Sequence, residues 1–310
     1  MQATAKVRQA VSRPSLLKKL YKYRHTYILL FPFMLIFTVF TVWPVVLSLF
    51  ISFTSFNVFE APTFVGWDNY VNLFVNDEVF GIALKNTLVF AVLTGPLGYL
   101  LSMFFAWVIN EMPKGLREFM TLVFYAPTLA GTGLFTIWGI VFDADIYGYL
   151  NSFLLQFGFI DEPIGWMVDP DYMMLVVVVV QLWLAMGTSF LTLRAGFSTI
   201  DRQLYEAGLV DGVRNRWQEL WYITLPAMAP HLMLSAILAI TAAFSTETVA
   251  TAMTGFPSTD YATHTLMHHM RDYGFLRYQR GYACAVSTII FALSFGTNML
   301  VQRLIRRVGK

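Results

Sequence analysis

Glu247 is the only carboxylate within the long apolar runs of this 310-residue chain. An acid at membrane depth marks a functional site by default. Carboxylates also accept strong charge-assisted hydrogen bonds, which suits a hydroxyl-rich solute. Counted from Pro226, Glu247 lies roughly 30 Å along a helix rising 1.5 Å per residue, in the outer half of its span. The bland alternatives are an interfacial glutamate or a partner for an arginine such as Arg280. Polar residues recur around it at helical spacing. Thr241, Ser245 and Thr248 share one side of the run, with Thr251 and Thr254 beside Glu247. Gln181, Thr188 and Thr192 recur at i, i+7 and i+11, and Ser287, Ser294 and Asn298 repeat that spacing. Together the three stripes fit a pathway for a polyhydroxylated solute. Singly, each group reads as a helix-to-helix hydrogen bond worth about 0.6 kcal/mol.

Other chemistry is thin. His264, His268 and His269 include an i, i+4 pair that could grip a metal on a helix. No carboxylate or cysteine completes the set at recognisable spacing, so no metal site is expected and a polar loop helix is the better reading. The sequence has no Gly-x4-Gly-Lys-Ser/Thr, no His-Glu-x2-His and no Gly-x-Ser-x-Gly, which argues against an ATP site or a hydrolase in this chain. No catalytic residue is assigned. Cys284 is the single cysteine, so no disulfide framework exists.

The elements that must position these groups follow from composition. Hydrophobic residues make up 57% of the chain and charged residues 13%, about half the charged share of a soluble domain. Runs of about 20 apolar residues cross ~30 Å of hydrocarbon, and six occur, near 27–53, 86–109, 119–142, 173–193, 228–253 and 281–301. Lipid forbids unpaired backbone, so an all-α polytopic bundle is expected. Residues 1–26 are basic, with Lys6, Arg8, Arg13, Lys18, Lys19, Lys22 and Arg24 and no acid. They read as a helix on the membrane surface or as a disordered tail. Lys114 and Arg117, then Arg194, Arg202, Arg214 and Arg216, and the tail 303–310 are also basic, whereas the alternate loops are mainly acidic. By the positive-inside rule both termini and the loop 195–226 are cytoplasmic. The basic residues suit anionic lipid; the net charge of +2 hides this asymmetry and says nothing about nucleic acid, and no nucleic-acid partner is expected. Short helices are expected outside the spans, after Gly66-Trp67 and over Leu150–Phe157.

The stretch Leu204–Pro230 interrupts the apolar pattern with two short helical readings joined at Asp211-Gly212 and stopped at Leu225-Pro226. Glycine permits the turn and proline restarts a helix in its first turn. Glu206-Ala207-Gly208, then Gly212, then Ile223-Thr224-Leu225-Pro226 resembles the Glu-Ala-Ala…Gly…Ile-x-Leu-Pro motif of ABC importer permeases, carbohydrate-uptake branch. Two departures occur: Gly208 replaces an alanine, and ten residues instead of nine separate Gly212 from Ile223.

The resemblance implies one half of a membrane channel that passes a carbohydrate delivered by an extracytoplasmic solute-binding protein. It implies a second permease and two cytoplasmic ATPase subunits, with ATP and Mg on those partners and no cofactor here. It assigns ATPase docking to Tyr205, Glu206, Ala207, Gly208, Asp211, Gly212, Trp221, Ile223, Leu225 and Pro226. Within that set, Ile223, Leu225 and Trp221 are expected to brace the second helix on the bundle. The competing reading is a self-sufficient carrier or channel that uses Glu247.

Overall fold

The computed structural model describes residues 23–244 and 247–308. The readings made for residues 1–22, and for Ser245, lie outside the described residues. The chain divides into two units, 1–50 and 51–310. Helix α1 (Arg24–Ile51), which carries Pro32 and a π turn at Thr38–Val42, belongs to the first but for its last residue. A proline and a π turn are two established ways of interrupting the hydrogen-bond ladder of a helix.

In the second unit a two-residue ribbon, β1 (Thr54–Ser55) with β2 (Thr63–Phe64), precedes the short α2 (Asp68–Val71). Then come α3 (Glu78–Asn110), α4 (Lys114–Ala130), α5 (Gly133–Val141) and α6 (Tyr149–Gln156). They are followed by α7 (Pro170–Leu184), α8 (Thr188–Ser198) and α9 (Arg202–Val210). Next is α10 (Arg216–Ala227), and then α11 (Ala229–Phe244), α12 (Glu247–Thr254), α13 (Leu266–Arg271) and α14 (Arg280–Val308). Among the described residues, four helical stretches (α1, α3, α7 with α8, and α14) are long and apolar enough to cross a membrane, and the count reaches six when each of two bent pairs is one span.

The first of those bends departs from an uninterrupted run expected, and the second falls at the boundary expected after Leu225-Pro226. The stretch 119–142 splits at Gly131, where φ is +62°, and α4 and α5 meet at 101°. The helix α10 turns by 82° into α11 at Met228, between Pro226 and Pro230, each of which lacks a backbone donor. The run 173–193 breaks at Ala185–Gly187. There α4 comes so close that a Cβ on Gly187 would lie 2.6 Å from a Thr128 methyl.

Small residues set the packing, as expected where the surroundings offer no hydrophobic drive between helices. A Cβ on Gly98 would stand 3.1 Å from that of Ala185, and Ser102 Oγ donates to the Ala185 carbonyl at 3.3 Å. Ser189 and Ser235 each donate to the other's carbonyl, at 3.4 and 3.1 Å, pinning α8 to α11. One apolar cluster joins Phe90 to Val176, Val177, Val249 and Met253. A second gathers Leu73, Phe80, Leu266 and Val286 at the Asp77 end of α3. A third gathers Ile109, Phe190, Leu193, Phe197 and Met228 at the other end, where the loop 195–226 is built.

Candidate functional site: the α9–α10 loop and the polar stripes

Asp201 caps α9 by accepting from the Gln203 N–H at 3.0 Å, which satisfies one of the helix's orphan donors. At the other end, the Val213 N–H reaches back to the Gly208 carbonyl at 2.9 Å and the Gly212 N–H to that of Leu209 at 3.3 Å. With Gly212 at φ +92°, this is the paired closure of a Schellman motif, which requires a left-handed residue at that position. Asn215 then caps α10, accepting from the Gln218 N–H at 2.8 Å while Gln218 Oε1 accepts from the Arg214 N–H at 2.8 Å. Each cap comes from a residue type that the helix end demands.

The two helices are stapled together. The hydroxyls of Tyr205 and Thr224 are 3.0 Å apart, and burial pushes the Tyr205 phenol above its ordinary value, keeping its proton in place. Gly208 is buried against Ile223, whose δ-methyl occupies the space that an alanine Cβ would take. Gly208 and Ile223 therefore share one packing space. The added residue has a place as well. Leu220–Thr224 is a π turn, closed by the Leu225 N–H on the Leu220 carbonyl, and a π turn holds one residue more than an α turn.

Glu206, Ala207, Leu209, Val210, Asp211 and Gly212 all face outward, with Val210 88% exposed. Tyr205 is half-buried and Gly208 buried. Ile223 and Leu225 are half-buried and Pro226 is exposed. Trp221 corrects the sequence reading. It was expected to brace α10 on the bundle, but it is 60% exposed, and Leu220 and Thr224 turn inward instead. Trp221 stands one residue, about 100° of helix, beyond the buried Leu220 and so turns outward. Trp217 stays in contact with the bundle through Trp107, at 4.9 Å between ring centroids.

The polar stripes are placed differently from a continuous wall. Gln181 ends in α7 and Thr188 opens α8, so the break between them interrupts the shared face that the spacing implied. Thr192 donates to the Thr188 carbonyl at 2.8 Å, and Thr188 itself is exposed. On α14, Ser287 donates to Ala283 and the Asn298 amide to the Ser294 carbonyl, while Asn298 Oδ1 is buried without a partner. Thr248 is exposed. No hydrogen bond joins α7, α12 and α14 residues of the set to one another among the described residues.

Glu247 opens α12 and its carboxylate pairs with the guanidinium of Arg271, which also lies 5.4 Å from the Phe256 ring. The partner is Arg271, where the sequence offered Arg280. Thr251 bonds His268 Nε2 at 3.0 Å and Thr254 bonds Thr263 at 2.6 Å. This tier is therefore tied to the loop after α12.

That loop centres on an acid which sequence reasoning passed over. Asp77 caps α3 through the Phe80 N–H at 2.9 Å and accepts the Tyr282 hydroxyl at 2.6 Å and that of Tyr273 at 3.1 Å. His269 Nε2 stands 3.1 Å away. Burial pushes the Asp77 carboxyl up, but the Tyr282 hydroxyl, the Phe80 N–H and His269 outweigh it and hold the group below its ordinary value. The sequence reading began the second apolar run at 86, so the cap at Asp77, which starts the helix eight residues earlier at Glu78, was missed with it. Its tyrosine and histidine partners, almost 200 residues away, were not legible either. His268 Nδ1 is used by Thr265 and its Nε2 by Thr251, and no group of three metal-ligating side chains is gathered among the described residues.

Comparison with known proteins matches this architecture. Residues 95–310 match the family described as binding-protein-dependent transport system inner membrane component. The probable ABC transporter permease protein YesP of Bacillus subtilis is 32% identical over 272 residues, covering 86% of this chain and 85% of the relative. The sulfoquinovosyl glycerol transport system permease protein SmoG of Agrobacterium fabrum is 28% identical over 285 residues, covering 90% and 89%. Among solved structures, a bacterial alginate ABC transporter in complex with alginate pentasaccharide-bound periplasmic protein aligns with a TM-score of 0.76. That match covers 96% of this chain and 99% of the other at 21% identity, and it speaks for the fold. On the family match and the relative at 32% identity, the chain belongs to the inner-membrane permease components of binding-protein-dependent ABC transport systems.

Proposed function

We propose that this chain is one of two permease subunits of an ATP-driven importer for a carbohydrate or closely related polyhydroxylated solute. A solute-binding protein delivers the solute from outside, and two cytoplasmic ATPase subunits, which hold the ATP and Mg, drive its passage. Support for the solute class comes from relatives that carry sulfoquinovosyl glycerol and sn-glycerol 3-phosphate by their descriptions, and from the alginate-importing fold neighbour. The basic residues at the α9–α10 end and near both termini support a cytoplasmic position for all three.

The observation that carries the reading is α9 itself. It is capped at both ends, closed by Gly212 and stapled to α10 by Tyr205–Thr224. It presents Glu206, Leu209, Val210 and Asp211 to the outside. A short rigid helix of this kind transmits a push without absorbing it. When the ATPases close, α9 moves with them, and the bend at Met228 hands that motion to α11. Glu206 and Asp211 make the polar contacts to the ATPase, and Leu209 and Val210 fill its groove. The solute then passes between the subunits, past Gln181, Thr188, Ser245, Thr248, Ser294 and Asn298, with Glu247 at the outer mouth. The carrier alternative is weaker, since the Glu247 charge is already matched by Arg271.

Gentle detergent extraction followed by native mass spectrometry tests the assembly. A particle with a second permease and two ATPase copies is expected. A chain recovered alone that transports in ATP-free vesicles would overturn the reading.

A further inference from the structure

Behind α9 lies a cavity of about 520 Å³, walled by the ends of α3, α4, α8, α9 and α10. Its charged lining is unbalanced. Arg117, Arg202 and Arg216 face it against one acid, Glu111. Arg216 is already matched, at 3.3 Å from Glu111 and 2.8 Å from Glu219. The other two have no acid partner among the described residues. Arg117 spends Nε and Nη2 on the Met112 carbonyl, at 3.1 and 2.9 Å. Arg202 forms no hydrogen bond or ion pair among the described residues.

A fourth arginine sits against the same wall. Arg194 Nη1 holds the lining residues Asn110 and Ser198, at 3.3 and 2.9 Å, and its buried Nε has no partner. Its charge and that of Arg117 repel each other. The helix ends aggravate the imbalance. The first turn of the 17-residue α4 carries Lys114 and Arg117, has no acid and has no side-chain cap. Basic residues oppose the dipole at a helix N-terminus, whereas an anion there is stabilised.

We infer that this cavity binds a phosphate group, as the ester of an anionic lipid headgroup or as a free phosphate anion. Guanidinium forks match phosphate oxygens in pairs. The volume admits a phosphate together with part of its alcohol. Because the walls include Tyr205 and Arg216, an occupant bridges α3, α4 and α8 to both helices of the α9–α10 loop. It therefore sets how firmly that lever is seated. The lipid source rests on the cytoplasmic placement of this end argued above, and the free-anion source does not.

The test uses the extracted chain with whatever subunits it retains. In phosphatidylcholine nanodiscs it is titrated with inorganic phosphate and followed by phosphorus NMR. In phosphate-free buffer with mixed phosphatidylglycerol and phosphatidylcholine, retained lipid is read by native mass spectrometry. Saturable binding of one probe is expected, weakened at least tenfold by Arg202→Gln, which breaks no contact, and also by Arg117→Lys. Lys85→Gln, exposed on α3 toward its opposite end, should change nothing. Preference for phosphatidylglycerol names the lipid source, and phosphate binding without it names the free anion. The proposal fails if neither probe separates wild type from Arg202→Gln, or if Lys85→Gln weakens binding as much. It also fails if Arg202→Gln only releases an ATPase with both probes unaffected. The subunit count from the same spectra reads the importer assignment separately.

Discussion

Two glycines of the α9–α10 loop do different work, and substitution separates them. Gly212 holds a backbone conformation, at φ +92°, where an L side chain costs about 1–2 kcal/mol and a β-branched one more. Gly212→Val should open the helix closure and leave α9 able to dock but unable to push. The expected result in proteoliposomes is continued ATP hydrolysis with uptake reduced at least tenfold, and coupled uptake at the wild-type rate would refute the lever. Gly208 instead concedes space to Ile223. An alanine there meets only the mobile end of that side chain, so Gly208→Ala should cost under about 1 kcal/mol. Gly208→Val should cost more, and Ile223→Val, which removes the δ-methyl, should recover part of the loss. A double-mutant cycle on thermal unfolding would read the coupling, and strict additivity would mean that the two side chains do not share this space.

At the scale of elements, the π turn explains how a longer spacing keeps the same contacts. One surplus residue in an α-helix rotates everything beyond it by about 100°, at 3.6 residues per turn. The π turn Leu220–Thr224 takes up that residue locally. Deleting Tyr222, which is 74% exposed, should let the turn close as α and leave the Gly208–Ile223 contact in register. Deleting Gln218 should not, because it removes the side chain that accepts from Arg214. Assembly of the extracted complex, read by native mass spectrometry, distinguishes the two. Equal loss from both deletions would argue that the turn has no such role.

This is also where the sequence was readable and where it was not. The apolar runs announced the long helices, and Asp211-Gly212 announced the C-terminal end of α9. The break before α11 was announced by Leu225-Pro226, but those at Gly131 and Ala185–Gly187 were not. Gly and Pro are frequent in membrane helices whether or not they break, and the need for glycine at 187 comes from Thr128, some 60 residues away. The Gln181, Thr188 and Thr192 stripe lost its shared face for the same reason, since its spacing assumed an unbroken helix. Trp221 looked inward beside Leu220 and faces out, because Leu220 and Thr224 take the inner face of α10.

Across the whole second unit, the end opposite α9 is held by a polar hub that no local pattern reveals. Asp77 joins the start of α3 to Tyr273, Tyr282 and His269. Beside it the imidazoles of His264 and His268 stack on Phe256. Burial holds His264 down to about 4 and His268 to about 3, from an ordinary 6.5. Both are neutral in the folded chain at pH 7. As the pH falls below about 6.5, the unfolded chain takes up protons that the folded chain refuses, so stability is lost progressively down to about pH 3–4. Asp77, held below its ordinary value, acts in the same direction at still lower pH. At about 1.4 kcal/mol per pKa unit, His264 alone accounts for up to about 3 kcal/mol of this loss. Its two ring nitrogens are buried without partners, so His264→Phe strands no hydrogen bond and keeps an aromatic face for Phe256. That variant should match wild type at pH 7 and unfold at a higher temperature than wild type at pH 4.5. Parallel pH profiles of the melting temperature would show that His264 does not titrate on unfolding and that the acid sensitivity belongs to other groups of the hub.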